Sequence, residues 1–292
     1  MPYNGVINVL KPTGMTSHDV VNKIRKITGQ KKVGHTGTLD PDVAGVLPIC
    51  VGKATRISSF LMEGNKTYIS ECVLGILTDT LDMYGEVLEK DNKISFSYQE
   101  VSEALNKAKN LKKQVPPMYS AVRYNGKKLY EYARKNLNVD VKERDINILD
   151  LKLKKYENQK IIFQAEVSKG TYMRVLCNDI GKILGTKGTM GKLIRIESKG
   201  LKIENSYTLE ELEEKALNNE LRACILPIET ALKLESVNIS IEDGKKIKNG
   251  VFINIPDEKR TIEYPFYVFS NDKLLGLGEI RDNKLKLKKQ LC

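Results

Sequence analysis

Residues 33–56 read VGHTGTLDPDVAGVLPICVGKATR, a stretch with neither a helical nor an alternating apolar period. It holds four glycines, two prolines and one Asp-Pro pair, Asp40-Pro41, set between apolar residues. A lone Asp-Pro is most often a turn. However, a glycine-rich loop lets the backbone approach a ligand closely, and apolar neighbours orient and partly desolvate a carboxylate. The combination makes Asp40 a candidate functional carboxylate.

A desolvated carboxylate needs a cationic partner, because it would otherwise take up a proton. Arginine is the most suitable partner, since its guanidinium stays charged and can hold a carboxylate through two hydrogen bonds. Arg174, in SKGTYMRVL (168–176), lies at the end of a predicted strand and is the candidate. The alternative is a surface arginine at a strand-to-helix junction.

Outward from this stretch, the apolar patterns predict both strands and helices. Several predicted helices begin with a capping box, in which a Ser or Thr is followed three residues later by Asp or Glu. This mixture indicates an α+β fold. The predicted strands span residues 5–10, 66–74 and 161–168, and the predicted helices begin after Thr16, Ser97 and Thr208 or span residues 175–184.

After about residue 236 the sequence changes to short strands separated by Asn, Asp, Pro and Gly, and no long helix is expected there. We therefore expect two domains, residues 1–233 and a small all-β domain at residues 234–292. From residue 236 on, the second domain carries 11 basic and 8 acidic residues and none of the candidate catalytic residues. It should therefore contribute no chemistry.

The charge of the chain indicates the kind of partner. The 292 residues include 48 lysines and arginines against 37 acids, a net charge of +11, which favours a polyanion such as nucleic acid. Residues 107–135 hold nine of the basic residues and one acid, interleaved with tyrosines. Such a stretch can bind phosphates and stack unpaired bases, and Lys127 and Lys128 are its candidate RNA contacts. The alternative is a solvated helix end followed by a tyrosine-lined hairpin.

Several other chemistries are not indicated by the sequence. The five cysteines are scattered singly, so neither a disulfide framework nor a zinc site is expected. GTKGTMGKL (185–193) has the wrong spacing for a phosphate-binding loop, and the sequence contains no dinucleotide fingerprint, nucleophile elbow or HExxH. No apolar run reaches about 18 residues, the length of a membrane span. We expect a cytoplasmic protein without metal, cofactor or membrane contact.

Four separated motifs together resemble one known family, the TruB family of tRNA pseudouridine-55 synthases. The motifs are GHTGTLDPDVAGVLP (34–48), KTY (66–68), QVPPMYSAVRYNGKKLYEYAR (114–134) and SKGTYMRVLCNDIG (168–181). They occur in the family's order, and the similarity runs from VLKPTGMTSHDVV (9–21) to a tail that resembles a bacterial PUA-like domain. The resemblance therefore covers essentially the whole chain.

This resemblance implies a fold and an activity. The fold would be that of pseudouridine synthases, a central, mostly antiparallel sheet flanked by helices, with a small C-terminal PUA-like domain that adds contacts to the tRNA backbone. The activity would be the isomerisation of uridine-55 in the T loop of tRNA, by base flipping and an aspartate nucleophile and without a cofactor. The partner would be the T arm of tRNA, and the enzyme would act as a monomer with no obligate protein partner.

The resemblance also implies roles for single residues. Asp40 would be the catalytic aspartate, Arg174 its partner, and Tyr68 the tyrosine that stacks on the target base. The other residues implied at the site are His35, which would fill the space left by the flipped base; Tyr172, which would share a strand face with Arg174; Leu193, an apolar active-site residue; and Lys11, which would support the catalytic loop from behind.

One position departs from the family pattern, and alternatives stay open. Ala44 stands where the family commonly has Thr before GVLP, so a hydroxyl that supports the backbone is missing. Asp40 could add to C1′ of the ribose or C6 of the base, or assist formation of a glycal. The alternative functions are a non-catalytic tRNA-binding or tRNA-folding protein and a guide-RNA-dependent synthase subunit. The pair His35-Thr36 separates the chain from the guide-dependent relatives.

Overall fold

The computed structural model describes residues 2–91, 95–137, 139–255 and 261–292. Within these ranges, no helix has both the length and the apolarity to cross a membrane. In chain order the strands are β1 Gly5–Lys11, β2 Val33–His35, β3 Ala44–Val51, β4 Lys66–Leu74, β5 Ile76–Thr78, β6 Val87–Lys90, β7 Lys113–Gln114, β8 Arg123–Tyr124, β9 Lys127–Lys128, β10 Arg144–Asp145, β11 Ile148–Glu157, β12 Lys160–Val167, β13 Gly188–Ser198, β14 Leu201–Lys202, β15 Ile225–Leu226, β16 Ser236–Ile239, β17 Ile253–Asn254, β18 Phe266–Ser270, β19 Lys273–Arg281 and β20 Lys284–Gln290. The helices are α1 Ser17–Thr28, α2 Ser58–Met62, α3 Tyr98–Ala108, α4 Leu129–Ala133, α5 Met173–Ile183, α6 Leu209–Leu217, α7 Ile228–Ala231 and α8 Ile241–Lys248, with 3-10 turns at Gly52–Ile57, Ile203–Asn205 and Leu221–Cys224.

The main feature of the fold is a mostly antiparallel sheet of nine strands. Seven strands follow the order β11-β12-β4-β13-β3-β1-β15, while β14 pairs with β13 and β2 pairs with β3. The pairing of β3 with β13 is parallel and joins Ala44 to Ile194 and Gly45 to Arg195. We call this junction the β3–β13 seam. It divides the sheet into one half around β1 and β3 and another around β4 and β13.

Each half of the sheet has its own helices and its own hydrophobic core. On the first half, α1 and α6 pack against β1, β2 and β3, and Val20 and Ile24 of α1 are fully buried there. On the second half, α3 and α5 pack against β4, β11 and β12 around Phe163. The helical stripe of α1 and the alternation of β12 produce this burial. The expected α+β fold, with a mostly antiparallel sheet flanked by helices, is confirmed.

Local predictions are right where the sequence pattern is strong. The strand predicted at residues 66–74 is β4, and Thr16, Ser97 and Thr208 form capping boxes at the starts of α1, α3 and α6. Two central strands are missed. β3 is buried along nearly its whole length, and β13 has two register shifts against β4, so neither keeps an alternating pattern over its full length.

Two expectations need correction. β12 ends at Val167 and a turn with Gly170 at positive φ follows, so α5 already begins at Met173. Arg174 therefore lies in the first turn of a helix and not at the end of a strand. The C-terminal module contains α8 besides its strands, because the side chain of Ser240 accepts the N–H of Asp243 and caps a short helix.

Residues 236–292 form a five-stranded sheet in the order β16-β18-β19-β20-β17, with α8 beside it. The expected C-terminal β domain is thus confirmed, while the boundary near residue 234 stays a prediction. The two parts share hydrophobic packing, since Tyr267 of β18 lies in one cluster with Ile57 and Leu61. Removal of the module would therefore expose apolar surface of the first domain.

Candidate active site

The predicted catalytic residues meet in one open cleft of about 620 Å³. Asp40 reaches the cleft from the loop before β3. Tyr68 of β4 and Leu193 of β13 line it from the other half of the sheet, and Tyr172 and Arg174 line it from the start of α5. The cleft therefore crosses the β3–β13 seam, and each half of the sheet supplies part of it.

The loop that carries Asp40 is held from behind by the last residue of β1 and the first residue of α1. The carbonyl of Pro41 accepts a hydrogen bond from Nζ of Lys11 at 3.0 Å. Oγ of Ser17 donates to the carbonyl of Leu39 at 3.0 Å and accepts from its N–H at 2.9 Å. Hydrogen bonds on both sides of Asp40 thus fix the backbone, while the carboxylate itself is 50 % exposed.

Lys11 is a fully buried cation behind this loop. Its Nζ donates to the carbonyl of Pro12 at 2.8 Å as well as to that of Pro41. Burial lowers the pKa of the Lys11 ammonium, and the negative charges of Asp42 and Asp40 offset part of that effect. Lys11 lies outside the cleft lining and contacts the loop through the backbone carbonyl of Pro41.

Arg174 is the buried partner of Asp40. Its side chain is 8 % exposed, and its Nη2 lies 3.3 Å from Oδ2 of Asp40. Its Nη1 lies 3.5 Å from Oδ2 of Asp82. The carbonyls of Thr80 and Tyr119 accept hydrogen bonds from the guanidinium at 3.1 and 2.8 Å. Two hydrogen bonds and two ion pairs hold the planar guanidinium in one orientation, in which it faces the carboxylate of Asp40.

Asp82 is a site residue that the sequence does not reveal. It follows β5 in the β5–β6 hairpin, and its Oδ1 accepts hydrogen bonds from Oγ1 of Thr80 at 2.7 Å and from the N–H of Tyr84 at 3.1 Å. The strand β6 is exposed along its length and gives no alternating pattern. The available signal is the run TDTLD (78–82), which is equally typical of a turn.

Tyr68 and Leu193 form an apolar wall of the cleft. They lie on the neighbouring strands β4 and β13, where Tyr68 pairs with Arg195 and Leu193 pairs with Ser70. Both side chains are half-buried and pack against the cores on both sides of the seam. An aromatic face beside an aliphatic side chain suits a flat, partly apolar ligand such as a nucleobase.

Tyr172 lines the cleft for a different reason from the one expected. Its N–H donates to Oε1 of Gln114 at 2.9 Å and its carbonyl accepts from Nε2 of Gln114 at 3.4 Å. Because the residues from Met173 on are helical, Tyr172 and Arg174 do not share a strand face. They line the same cleft because the chain turns into α5 between them.

Three predicted RNA-contacting residues lie outside the cleft lining. His35, in β2, accepts a hydrogen bond at its Nδ1 from the N–H of Gly37 at 3.3 Å, and burial lowers its pKa, as does the charge of Arg195. Lys127 and Lys128 form β9 of a two-stranded hairpin with β8. The exposed Lys127 and the half-buried Lys128 lie at the surface. Because burial lowers the pKa of His35 below its usual value, the imidazole of His35 is neutral at neutral pH.

Two further buried cations line the cleft, and neither was predicted as a site residue. Lys66, 7 % exposed, donates from Nζ to carbonyls at and just beyond the end of α2, and burial lowers its pKa to about 8. Arg195, 1 % exposed, lies on the missed strand β13. The positions LIRIE (193–197) look like an ordinary alternating strand, so nothing in the sequence marks Arg195 as buried.

The fold agrees with that of solved structures. One chain in the crystal structure of a Cbf5-Nop10-Gar1 complex matches this chain with a TM-score of 0.75 and 25 % identity, over 99 % of this chain and 85 % of that chain. An H/ACA RNP bound to a substrate RNA containing 2′-deoxyuridine matches in fold with a TM-score of 0.72 at 24 % identity, over 99 % of this chain and 85 % of that chain. Residues 25–173 match the N-terminal domain of the TruB family pseudouridylate synthases, and residues 174–233 match the tRNA pseudouridylate synthase B C-terminal domain. The fold and the cleft thus define the class, that of the pseudouridylate synthases.

Sequence relatives narrow the class further. Proteins named tRNA pseudouridine synthase B are similar to this chain in Caldanaerobacter subterraneus subsp. tengcongensis (47 % identity over 87 % of each chain) and Clostridioides difficile (42 % over 95 % of this chain and 94 % of that protein). Another protein of that name, from Bacillus subtilis, is 45 % identical over 87 % of this chain and 85 % of its own length. This chain belongs to the TruB family.

Proposed function

We propose that this protein converts uridine-55 in the T loop of tRNA into pseudouridine, with Asp40 as the nucleophile. The observation that supports this best is the 3.3 Å pairing of Asp40 with the buried guanidinium of Arg174, in a cleft also lined by Tyr68. The relatives at 42 to 47 % identity that are named tRNA pseudouridine synthase B support tRNA as the substrate.

The reaction needs a carboxylate and a shaped cleft, and no group donor. The N1–C1′ bond of uridine breaks, the detached base turns, and C1′ rejoins the base at C5, which gives up its proton while N1 gains one. Asp40 can add to C1′, add to C6, or assist a glycal intermediate. In each route the guanidinium of Arg174 orients the carboxylate and leaves one of its oxygens free to react.

The target nucleotide has to leave the folded T arm before it can react. Extrusion costs a few kcal/mol, roughly, and stacking of the base on Tyr68 offsets part of that cost. Leu193 supplies an apolar contact on the neighbouring strand. The cleft volume of about 620 Å³ is within the range of sites for small ligands, so one nucleotide can enter.

The other predicted residues have supporting roles in this proposal. Lys11 holds the Asp40 loop, and Tyr172 borders the nucleotide at the start of α5. The neutral imidazole of His35 fills the space that the extruded base leaves in the RNA. Lys127 and Lys128 contact phosphates of the T arm.

We also propose that the protein acts alone, as a monomer. The alternative is a subunit that needs protein partners, since Cbf5 is seen in a complex with Nop10 and Gar1. Purified protein should therefore act on a tRNA transcript with no other component added. Activity that depends on a second protein or a guide RNA would contradict this.

The nucleophile is tested with a T-arm hairpin that carries tritium at C5 of its uridines. Asp40→Asn should bind the hairpin as the natural protein does but release no tritium, because the amide cannot form the covalent adduct. The matched control is Asp42→Asn, an exposed acid in the same turn, which should keep most of the activity. Turnover of the Asp40 variant above background would exclude Asp40 as the nucleophile.

The same assay separates the alternative functions. A hairpin with cytidine in place of the target uridine should release no tritium from its other uridines. If the natural protein binds the hairpin but releases no tritium at all, it is an RNA-binding or RNA-folding protein without this chemistry.

A further inference from the structure

Arg195 is a buried arginine at the centre of the sheet. It is 1 % exposed and is one of the largest fully buried side chains of the described chain. On β13 it pairs with Tyr68 of β4 on one side and with Gly45 of β3 on the other. It therefore lies between the strand of the stacking tyrosine and the strand that follows the Asp40 loop.

The guanidinium of Arg195 binds the backbone on both sides of Asp40. Its Nε donates to the carbonyl of Val46 at 2.7 Å, after the loop, and its Nη2 donates to the carbonyl of Gly37 at 3.1 Å, before it. One rigid, planar group thus bridges Gly37, before Asp40, and Val46, in β3 after the loop. A planar guanidinium fixes two directions at once, which a single ammonium cannot do.

This arrangement is costly for the fold. Within the described ranges, the side-chain hydrogen-bond partners of Arg195 are carbonyls, and no carboxylate forms an ion pair with it. The charge of Arg195 also helps to lower the pKa of Lys11, of His35 and of Lys66. Burial of an unpaired cation among other cations opposes folding, so an apolar side chain of similar volume would suit stability better.

The position of the seam explains what Arg195 can contribute. Asp40 belongs to one half of the sheet and Tyr68 to the other, and two residue pairs join β3 to β13. The backbones touch closely there, since a Cβ on Gly45 would lie 2.2 Å from the carbonyl oxygen of Arg195. The side chain of Arg195 adds two hydrogen bonds across the same junction.

We propose that Arg195 is a positioning residue, which holds the Asp40 loop against β13 and so fixes the carboxylate relative to Tyr68. The inference rests on the proposed function, because it concerns the geometry of that reaction. A displacement of about 1 Å of a reacting group can lower a rate by about a hundredfold. Loss of these two hydrogen bonds should therefore slow the chemical step and leave RNA affinity almost unchanged.

The test compares Arg195→Lys and Arg195→Met with the natural protein. For each, the single-turnover rate at saturating T-arm hairpin, the Kd for the hairpin and the Tm are measured. Arg195→Lys keeps the charge but loses the planar group that donates two hydrogen bonds to the backbone on either side of Asp40. We expect its rate to fall by about 30- to 100-fold, equivalent to about 2–2.7 kcal/mol, with Kd changed less than about threefold and Tm little altered.

Lys192→Met is the matched control, because it removes an exposed cation of the same strand that lies outside the cleft lining. Its rate should stay within about threefold of the natural rate. The proposal is wrong if Arg195→Lys reacts at the natural rate, if rate and affinity fall in proportion, or if Lys192→Met loses as much as Arg195→Lys. If the natural protein itself did not react with the hairpin, the proposed function would be wrong instead.

A measurement on the unaltered protein covers the case in which the variants do not fold. The Nε–H of Arg195 should exchange slowly with solvent in an NMR experiment, because it is buried and bonded to the carbonyl of Val46. Fast exchange of this proton would show that the guanidinium does not hold the loop in solution, and would overturn the proposal.

Discussion

Lys66 is a buried ammonium whose proton binding links the cleft to the stability of the fold. Burial lowers its pKa from 10.5 to about 8, and the charge of Arg195 acts in the same direction. Between those two values the unfolded chain binds more protons than the folded protein does, so folding becomes more favourable as the pH rises through this window. Below about pH 8 the full cost of the buried charge is present.

We expect the natural protein to gain stability relative to Lys66→Met when the pH is raised from about 7.5 to about 10, by at most about 3 kcal/mol. Urea unfolding of both proteins at the two pH values measures the difference, and the variant cancels the titration of other groups. An unchanged difference between the two proteins would mean that Lys66 keeps an ordinary pKa in the fold.

At the level of single residues, the sequence could point to groups with a chemical signature and not to groups defined by burial. The structure brings Asp40, Tyr68 and Arg174 into one cleft, as the motifs suggest, while their catalytic roles stay predictions. Asp82 and Arg195 are missed. Their importance arises from contacts with residues far away in the chain, and neither lies in a run that differs from a turn or an ordinary strand.

The hairpin of β8 and β9 is the surface element for which RNA binding is predicted. The tyrosines of the hairpin and of α4 after it already have partners, because Tyr124 and Tyr132 are in edge-to-face contact and Tyr130 lies against Lys128 and Arg134. This supports part of the alternative, a tyrosine-lined hairpin. The exposed basic groups are then what the element offers to RNA, as contacts to phosphate.

Replacement of Lys127 and Lys128 by alanine should therefore weaken binding of a T-arm hairpin and reduce its dependence on salt. The slope of log Kd against log salt should fall by about 1–2, because fewer counterions are released. The control is alanine at Lys152 and Lys155, on β11, each of which pairs with an acid. Equal slopes for the two double variants would place the RNA elsewhere.

Elements with a clear apolar pattern, including the buried strand β1, could be predicted from the sequence, and the two strands of the seam could not. The strand β4 and the capped helix α1 have clear patterns and fall where expected. β3 is apolar almost throughout, and β13 is irregular because of its register shifts. The two strands of the seam, on which the geometry of the site depends, were therefore not recognised from the sequence.

At the scale of the whole molecule, the C-terminal module and the first domain share a hydrophobic cluster. Oη of Tyr267 donates to the carbonyl of Leu232 at 2.6 Å, and Nζ of Lys289 donates to the carbonyl of Arg56 at 2.8 Å. The 3-10 turn that contains Arg56 follows directly after β3. The module therefore packs on the far end of the strand that begins after the Asp40 loop.

Truncation after residue 233 should lower the Tm by at least about 5 °C, because apolar surface of the first domain becomes exposed. If the shortened protein is folded, its single-turnover rate on a minimal T-arm hairpin should stay within about tenfold of the natural rate. Thermal unfolding and the tritium assay test the two parts. An unchanged Tm would contradict shared packing, and a rate lower by a hundredfold or more, about 2.7 kcal/mol, would show that the module orders the active site.

The β3–β13 seam also sets the order in which a growing chain becomes active at the ribosome. β3 leaves the ribosome early, but its partner β13 follows only after the whole segment from residue 52 to residue 187 has been made. Pairings between such distant segments form late in folding. A nascent chain that ends before Arg174 already displays Asp40 on its loop, yet it lacks both the guanidinium that faces the carboxylate and the strand that clamps the loop. We therefore expect prematurely terminated chains of this protein to be inert toward tRNA.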